Sequence, residues 1–228
     1  MRGCLSFLVF LFAIEGTLAF SLKGKRALVT GSSGGIGAGI AKRLAEEGVD
    51  VLLHYHTRRE GAIATRQAIV DAGGTCSGVI VSDFRSPAAI TQLFDIVDEV
   101  WKGGLDILIN NAGIEPKMAS DDDDEELSVW RETMQVNLHA PLQLSRLAKR
   151  RMKKGGVIVN VSSIHGERSV EYMTAYAASK AALDSLTRGL ALEYASDNVR
   201  VNAIAPGVVR LRKHVCVCFR WEMNVTHG

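Results

Sequence analysis

Six short apolar runs, at 26–30, 50–54, 75–81, 107–110, 157–161 and 200–204, alternate with longer amphipathic stretches at 36–47, 61–71, 87–101, 127–152 and 173–194. A strand followed by a helix pattern of that length predicts repeated β/α units, because a parallel partner strand is reached only through a long crossover. Val157-Ile158-Val159 and Ile107-Leu108-Ile109 are continuously apolar, as strands covered by helices on both faces must be. The expected fold is therefore α/β, a doubly wound parallel Rossmann-type sheet. With 47% hydrophobic and 23% charged residues, a chain of 228 can bury one such core and is not disordered. No internal repeat, low-complexity segment or linker marks a second domain.

Composition narrows the function classes. A net charge of +2 sets up no field that would attract nucleic acid. The six histidines (His54, His56, His139, His165, His214 and His227) show no metal-ligand spacing, so no metal is expected. Cys4, Cys76, Cys216 and Cys218 form no C-x-x-C pair and no disulfide framework.

The first 19 residues read as a leader. Arg2 precedes an apolar run at 5–14, and small residues follow up to Ala19, which is the pattern of a secretory signal peptide. The run is about half the length of a membrane-spanning helix, so no stable membrane insertion is expected. This points to the secretory pathway and the ER lumen. A plastid leader routed through the ER, suggested by Phe20, and a cytoplasmic chain are the alternatives. Asn160-Val161-Ser162 and Asn224-Val225-Thr226 are glycosylation acceptors, and the first lies in a core strand, in conflict with a luminal route.

Thr30-Gly31-Ser32-Ser33-Gly34-Gly35-Ile36-Gly37 follows the first strand and opens the first helix. A glycine turn there brings backbone N–H groups and a helix N-terminus close to a pyrophosphate, where a Cβ would obstruct it. The spacing is T-G-x-x-x-G-x-G, since Ile40 stands where the third glycine of G-x-G-x-x-G belongs. The same residues satisfy G-x-S-x-G around Ser33, with Asp197 and His214 following in the order of an α/β-hydrolase triad. A nucleophile elbow, however, follows a strand well into the chain, and this turn follows the first. Farther on, Ser86-Pro87 marks a helix start, and the acidic run 121–126 suits a helix N-terminus.

Tyr176 and Lys180 stand four apart on a helix and share a face. Ser163 lies on the loop after an apolar strand, where the carboxyl edge of the sheet faces the crevice, so the three groups can converge on one carbonyl oxygen. Together with Asp83, Asn110-Asn111-Ala112-Gly113, Asn137 and Pro206-Gly207, they resemble the compact single-domain branch of the short-chain dehydrogenase/reductase family, which includes 3-oxoacyl reductases and glucose dehydrogenases. The resemblance covers 26–207 and implies an oxidoreductase acting on a small-molecule carbonyl or alcohol, as a homo-oligomer.

It also implies roles. Tyr176 would donate the proton, Lys180 would draw its pKa toward neutrality, Ser163 would hold the developing oxyanion, and Asn137 would hold a relay water. The cofactor would contact Gly31, Ser33, Gly35, Ile36 and Gly37, with Asp83 at the adenine and Asn110 at the ribose. Ala112, Gly113, Tyr176, Lys180, Pro206 and Gly207 would complete its site. The second strand ends without the acid that would bind a ribose 2′-hydroxyl, and Arg58 and Arg59 suit a 2′-phosphate, so NADP is expected over NAD.

Residues 208–228 depart from the family pattern, and the threonine that commonly follows the Pro-Gly is absent. The stretch 205–214 is barely long enough for a parallel crossover to a strand at 215–219. The expectation is a leader at 1–19, an oxidoreductase domain at 20–207 lacking its last strand, and a divergent tail. The sixth strand would be an exposed apolar edge, and the alternative to a working oxidoreductase is a truncated, catalytically impaired family member that only binds nucleotide or pairs with intact subunits.

Overall fold

The computed structural model describes residues 21–102, 104–118, 122–152, 155–207 and 219–222. The leader, His214 and the acceptor at 224–226 lie outside the described residues. Strands β1 (Arg26–Val29), β2 (Asp50–Tyr55), β3 (Thr75–Val81), β4 (Ile107–Asn110), β5 (Gly156–Val161) and β6 (Val199–Pro206) form the parallel part of one sheet, in the order β3-β2-β1-β4-β5-β6. This is the doubly wound Rossmann-type order, and its direction reverses between β1 and β4, where a crevice opens.

Alternate residues of each strand feed two cores. Ala27 and Val29 pack with Val51, Leu53, Ile107 and Ile109 under α1 (Gly35–Glu46) and α2 (Arg59–Asp71). Leu28, Leu52 and Ile158 face the other way, under α3 (Pro87–Val100), α5 (Ala140–Lys149) and α6 (Thr174–Tyr194). Ser86 caps α3 by accepting from the Ala89 N–H at 3.4 Å, with Pro87 at the first helical position. The acidic run opens α4 (Asp123–Met134), whose cap Asp122 accepts from the N–H groups of Asp124 and Glu125.

Three sequence expectations change. The helix expected over 127–152 is α4, a π-helical turn at Gln135–His139 and α5. Pro141 has no N–H to give the Asn137 carbonyl four residues back, so a continuous α-helix cannot pass. The outer edge of β6 is not bare, because β7 (Phe219–Glu222) pairs antiparallel to it from Ala203↔Glu222 to Pro206↔Phe219. An antiparallel partner needs only a reversal of the chain, so the crossover limit does not apply. The expected strand at 215–219 overlaps β7 only at Phe219, and a seventh parallel strand is absent among the described residues. Finally, Asn160 has no exposed surface and donates to Thr187 Oγ1 at 2.8 Å, so the first glycosylation acceptor is closed in the folded chain. No described helix is long and apolar enough to cross a membrane.

Candidate active site

The loops at the carboxyl ends of β1 and β4 are fastened to each other. Buried Thr30 donates through Oγ1 to the Ile109 carbonyl at 3.0 Å and accepts from the N–H groups of Asn111 at 2.9 Å and Ala112 at 3.0 Å. Asn111 returns its amide to the carbonyls of Thr30 and Gly31, at 2.9 and 3.0 Å. Gly31 sits at φ +62°, and a Cβ on it would lie 2.8 Å from Ala112 Cα. A side chain at Gly37 would overlap the Gly31 carbonyl and the Asn111 amide. Both glycines are therefore required by close backbone approach.

His54, a residue the sequence gave no reason to single out, fixes the turn from the other side. Its Nδ1 accepts from the Gly31 N–H at 3.1 Å, its Nε2 bonds the Ser82 carbonyl at 3.0 Å, and its ring stacks on Phe84. Burial lowers its pKa to about 4, so the ring is neutral near pH 7. Below the ordinary value of 6.5 the unfolded chain takes up a proton that the folded chain refuses. Stability therefore falls as pH drops from about 6.5 to about 4, by about 3 kcal/mol for this group. Denaturant titrations at pH 7 and pH 4.5 should show His54→Gln, destabilised at pH 7, losing less on acidification than the native chain. Equal losses would remove His54 as the acid-sensitive group.

Two cavities meet over this turn. One, of about 340 Å³, is lined by Gly31, Ser33, His56, Arg58, Asp83 and Arg85 among others. The other, of about 450 Å³, is lined by Ile36, Ser163, Tyr176, Lys180, Pro206 and Gly207. Asn111, Gly113 and Ile114 border both. The crevice so formed lies outside the carboxyl ends of the strands at the reversal between β1 and β4, where this architecture binds dinucleotides. The close-packed glycines of the turn, the N-terminus of α1 and the Arg58 guanidinium beside Gly34 fit such a cofactor.

Of the expected nucleotide residues, Ala112 lines the first cavity, whereas Gly35 and Gly37 shape the turn without lining either. Arg58 reaches the cavity but Arg59 does not, because α2 begins at Arg59 and turns it away. Asp83 is at the rim, held by Arg85 Nε at 3.0 Å and Nη2 at 2.7 Å, and this hydrogen bonding keeps its carboxyl below the usual range. Asn110, expected at the ribose, turns its side chain into the core. Its side chain is buried and donates to Asn160 Oδ1 at 2.8 Å and Ser145 Oγ at 3.2 Å, while Asn111 faces the crevice.

Ser163 and Tyr176 both line the second cavity. Lys180 is buried, and its Nζ donates to the Val161 carbonyl at 2.8 Å and lies 5.6 Å from the centroid of the Tyr176 ring. Burial lowers the Lys180 pKa to about 8. Burial also raises that of Tyr176, an effect that neighbouring Ser163 partly offsets. The expected acidification of the phenol by Lys180 is thus not a property of the protein alone: the ammonium is itself desolvated. Ser162, next in the chain, bonds the Lys180 carbonyl instead of Tyr176.

Asn137 lines neither cavity, and its amide is spent on the Ile114 backbone, accepting from the N–H at 2.9 Å and donating to the carbonyl at 2.8 Å. Its carbonyl is deprived of its α-helical donor by Pro141. The hydrolase alternative finds no support. Asp197 pairs with Lys149 at 2.8 Å, before β6 begins and so at the opposite end of the sheet from Ser33.

Residues 25–214 match the short chain dehydrogenase family. The chain belongs to that family. Its relatives include the 3beta-hydroxysteroid dehydrogenase 1 of Eggerthella lenta, 42% identical over 82% of this chain and 72% of that one. The 2-dehydro-3-deoxy-D-gluconate 5-dehydrogenase of Bacillus subtilis is 40% identical over 84% and 73%. A solved short chain dehydrogenase of Burkholderia cenocepacia in complex with NADP shares 41% identity, with a TM-score of 0.78 over 84% of this chain and 77% of that one. Compact short-chain dehydrogenases thus share this sheet and crevice.

Proposed function

We propose that the chain transfers a hydride between NADP(H) and a carbonyl/alcohol pair, with Ser163, Tyr176, Lys180 and Asn137 as its working residues. The observation that carries this reading is the convergence of Ser163, Tyr176 and Lys180 in the cavity that joins the one beneath the glycine turn. A bound nicotinamide supplies or accepts the hydride at the substrate carbon. The chain's own residues handle the oxygen. With its pKa held up by burial, Tyr176 keeps its proton at neutral pH, the form in which it can protonate a ketone oxygen as hydride arrives. Ser163 Oγ hydrogen-bonds the same oxygen and stabilises its developing charge. Lys180, largely protonated at pH 7, restores the proton from solvent through a water at the Asn137 carbonyl.

Arg58 is the cation for the 2′-phosphate in this reading, since it alone of the two neighbouring arginines reaches the cavity. Arg58→Ala should weaken NADPH binding by about tenfold and leave NADH within about twofold. Arg59→Ala should change neither. Isothermal titration with both cofactors checks this, and an unchanged preference in Arg58→Ala would withdraw the assignment.

A further inference from the structure

Glu115 lines the same cavity as Tyr176 and Lys180, and its backbone is held on both sides. Ile114, before it, is clamped at N–H and carbonyl by the Asn137 amide. Pro116, after it, restricts Glu115 to extended conformations. Two residues on, the Met118 N–H donates to the Tyr172 carbonyl at 2.8 Å, tying the segment to the stretch that precedes α6. The backbone that carries the exposed Glu115 carboxylate is thus held at the cavity by the chain's geometry.

The other polar side chain at that mouth is His165, whose ring meets Tyr176 edge-on with centroids 6.1 Å apart. Its Nδ1 is 2.9 Å from the Arg168 carbonyl, which can only accept, so Nδ1 carries the proton and the neutral ring keeps Nε2 as an acceptor. Among the described residues, apart from Ser162 and the working residues, the polar side chains lining this cavity are Glu115 and His165, with Asn111 committed to the glycine turn. After burial, which dominates both groups, the Glu115 charge also raises the pKa values of Tyr176 and Lys180, so its field reaches the reacting groups.

We infer that Glu115 is a specificity-determining residue, selecting uncharged, hydroxyl-bearing carbonyl substrates and rejecting those with a carboxylate or phosphate near the reacting carbon. A neutral hydroxylated ketone offers donors to both acceptors. An anion there meets like charge in a partly desolvated cleft. The inference rests on the carbonyl-reductase reading.

The test compares methyl acetoacetate with acetoacetate, ketones of one skeleton that differ in charge, using the full chain and NADPH. The native protein should favour the ester in kcat/KM. Glu115→Gln should shrink that preference by roughly tenfold, chiefly by lowering KM for the acid, with kcat for the ester and NADPH affinity within about threefold. High salt should shrink the native preference and leave the variant's unchanged, a response that packing alone would not produce. Equal turnover losses on both ketones, or an unaltered preference in Glu115→Gln, would overturn the role of Glu115 while leaving the reductase reading intact. A native protein that turns over neither these ketones nor hydroxyacetone would overturn the reductase reading, and this inference with it.

Discussion

Tyr176→Phe is expected to lower ketone reduction by about a thousandfold while leaving NADPH affinity within about twofold. The hydroxyl lies in the second cavity beside Ser163 and Lys180, whereas Arg58 and Asp83, expected at the 2′-phosphate and the adenine, line the first. Phe keeps the ring that packs against His165 and lies beside Lys180, so the change deletes a proton and little else. Single-turnover rates with saturating NADPH separate chemistry from binding. Turnover near the native rate would take Tyr176 out of the proton-transfer role.

Gly37→Ala should have the largest effect on the scaffold. The new methyl would enter the space held by the Gly31 carbonyl and the Asn111 amide, neither of which is free to withdraw. The turn must lift off β4 and surrender the Asn111 bonds to Thr30 and Gly31, a loss of about 2–3 kcal/mol. NADPH affinity should fall by about a hundredfold, because the same carbonyls and N–H groups set the cradle. Gly39→Ala, two residues along α1, is the control: its Cβ would meet nothing within 4 Å, and the change should stabilise the helix by about 0.5–1 kcal/mol. Urea denaturation of both variants checks the contrast. A Gly37→Ala protein as stable as Gly39→Ala would contradict the close approach drawn here.

The sheet was legible because each strand is an apolar run and each helix a periodic one, and both signals are local. What the sequence hid is decided by contacts between distant segments. Asn110 and Asn111 are chemically identical neighbours, and only the pleat of β4 against β5 determines which enters the core and which faces the crevice. Arg58 and Arg59 differ only in lying before and within α2. His54 ends an apolar run and looks like part of it, yet it holds the Gly31 N–H. Ser163, Tyr176 and Lys180 could be proposed from the chain because helical spacing and a strand-end position are themselves local. Their pKa values could not, since burial rather than their mutual spacing sets them. Pro141 stands inside the stretch read as one helix over 127–152, and its consequence is the π-helical turn that contains Asn137.

The most direct test of the account is to mix the full chain with NADPH and a panel of uncharged ketones, following nicotinamide absorbance and product alcohol together. One alcohol should form for each NADPH oxidised, with consumption by Tyr176→Phe about a thousandfold slower. Thermal protection by NADPH without consumption on any ketone would contradict it and leave a chain that binds the nucleotide without catalysis.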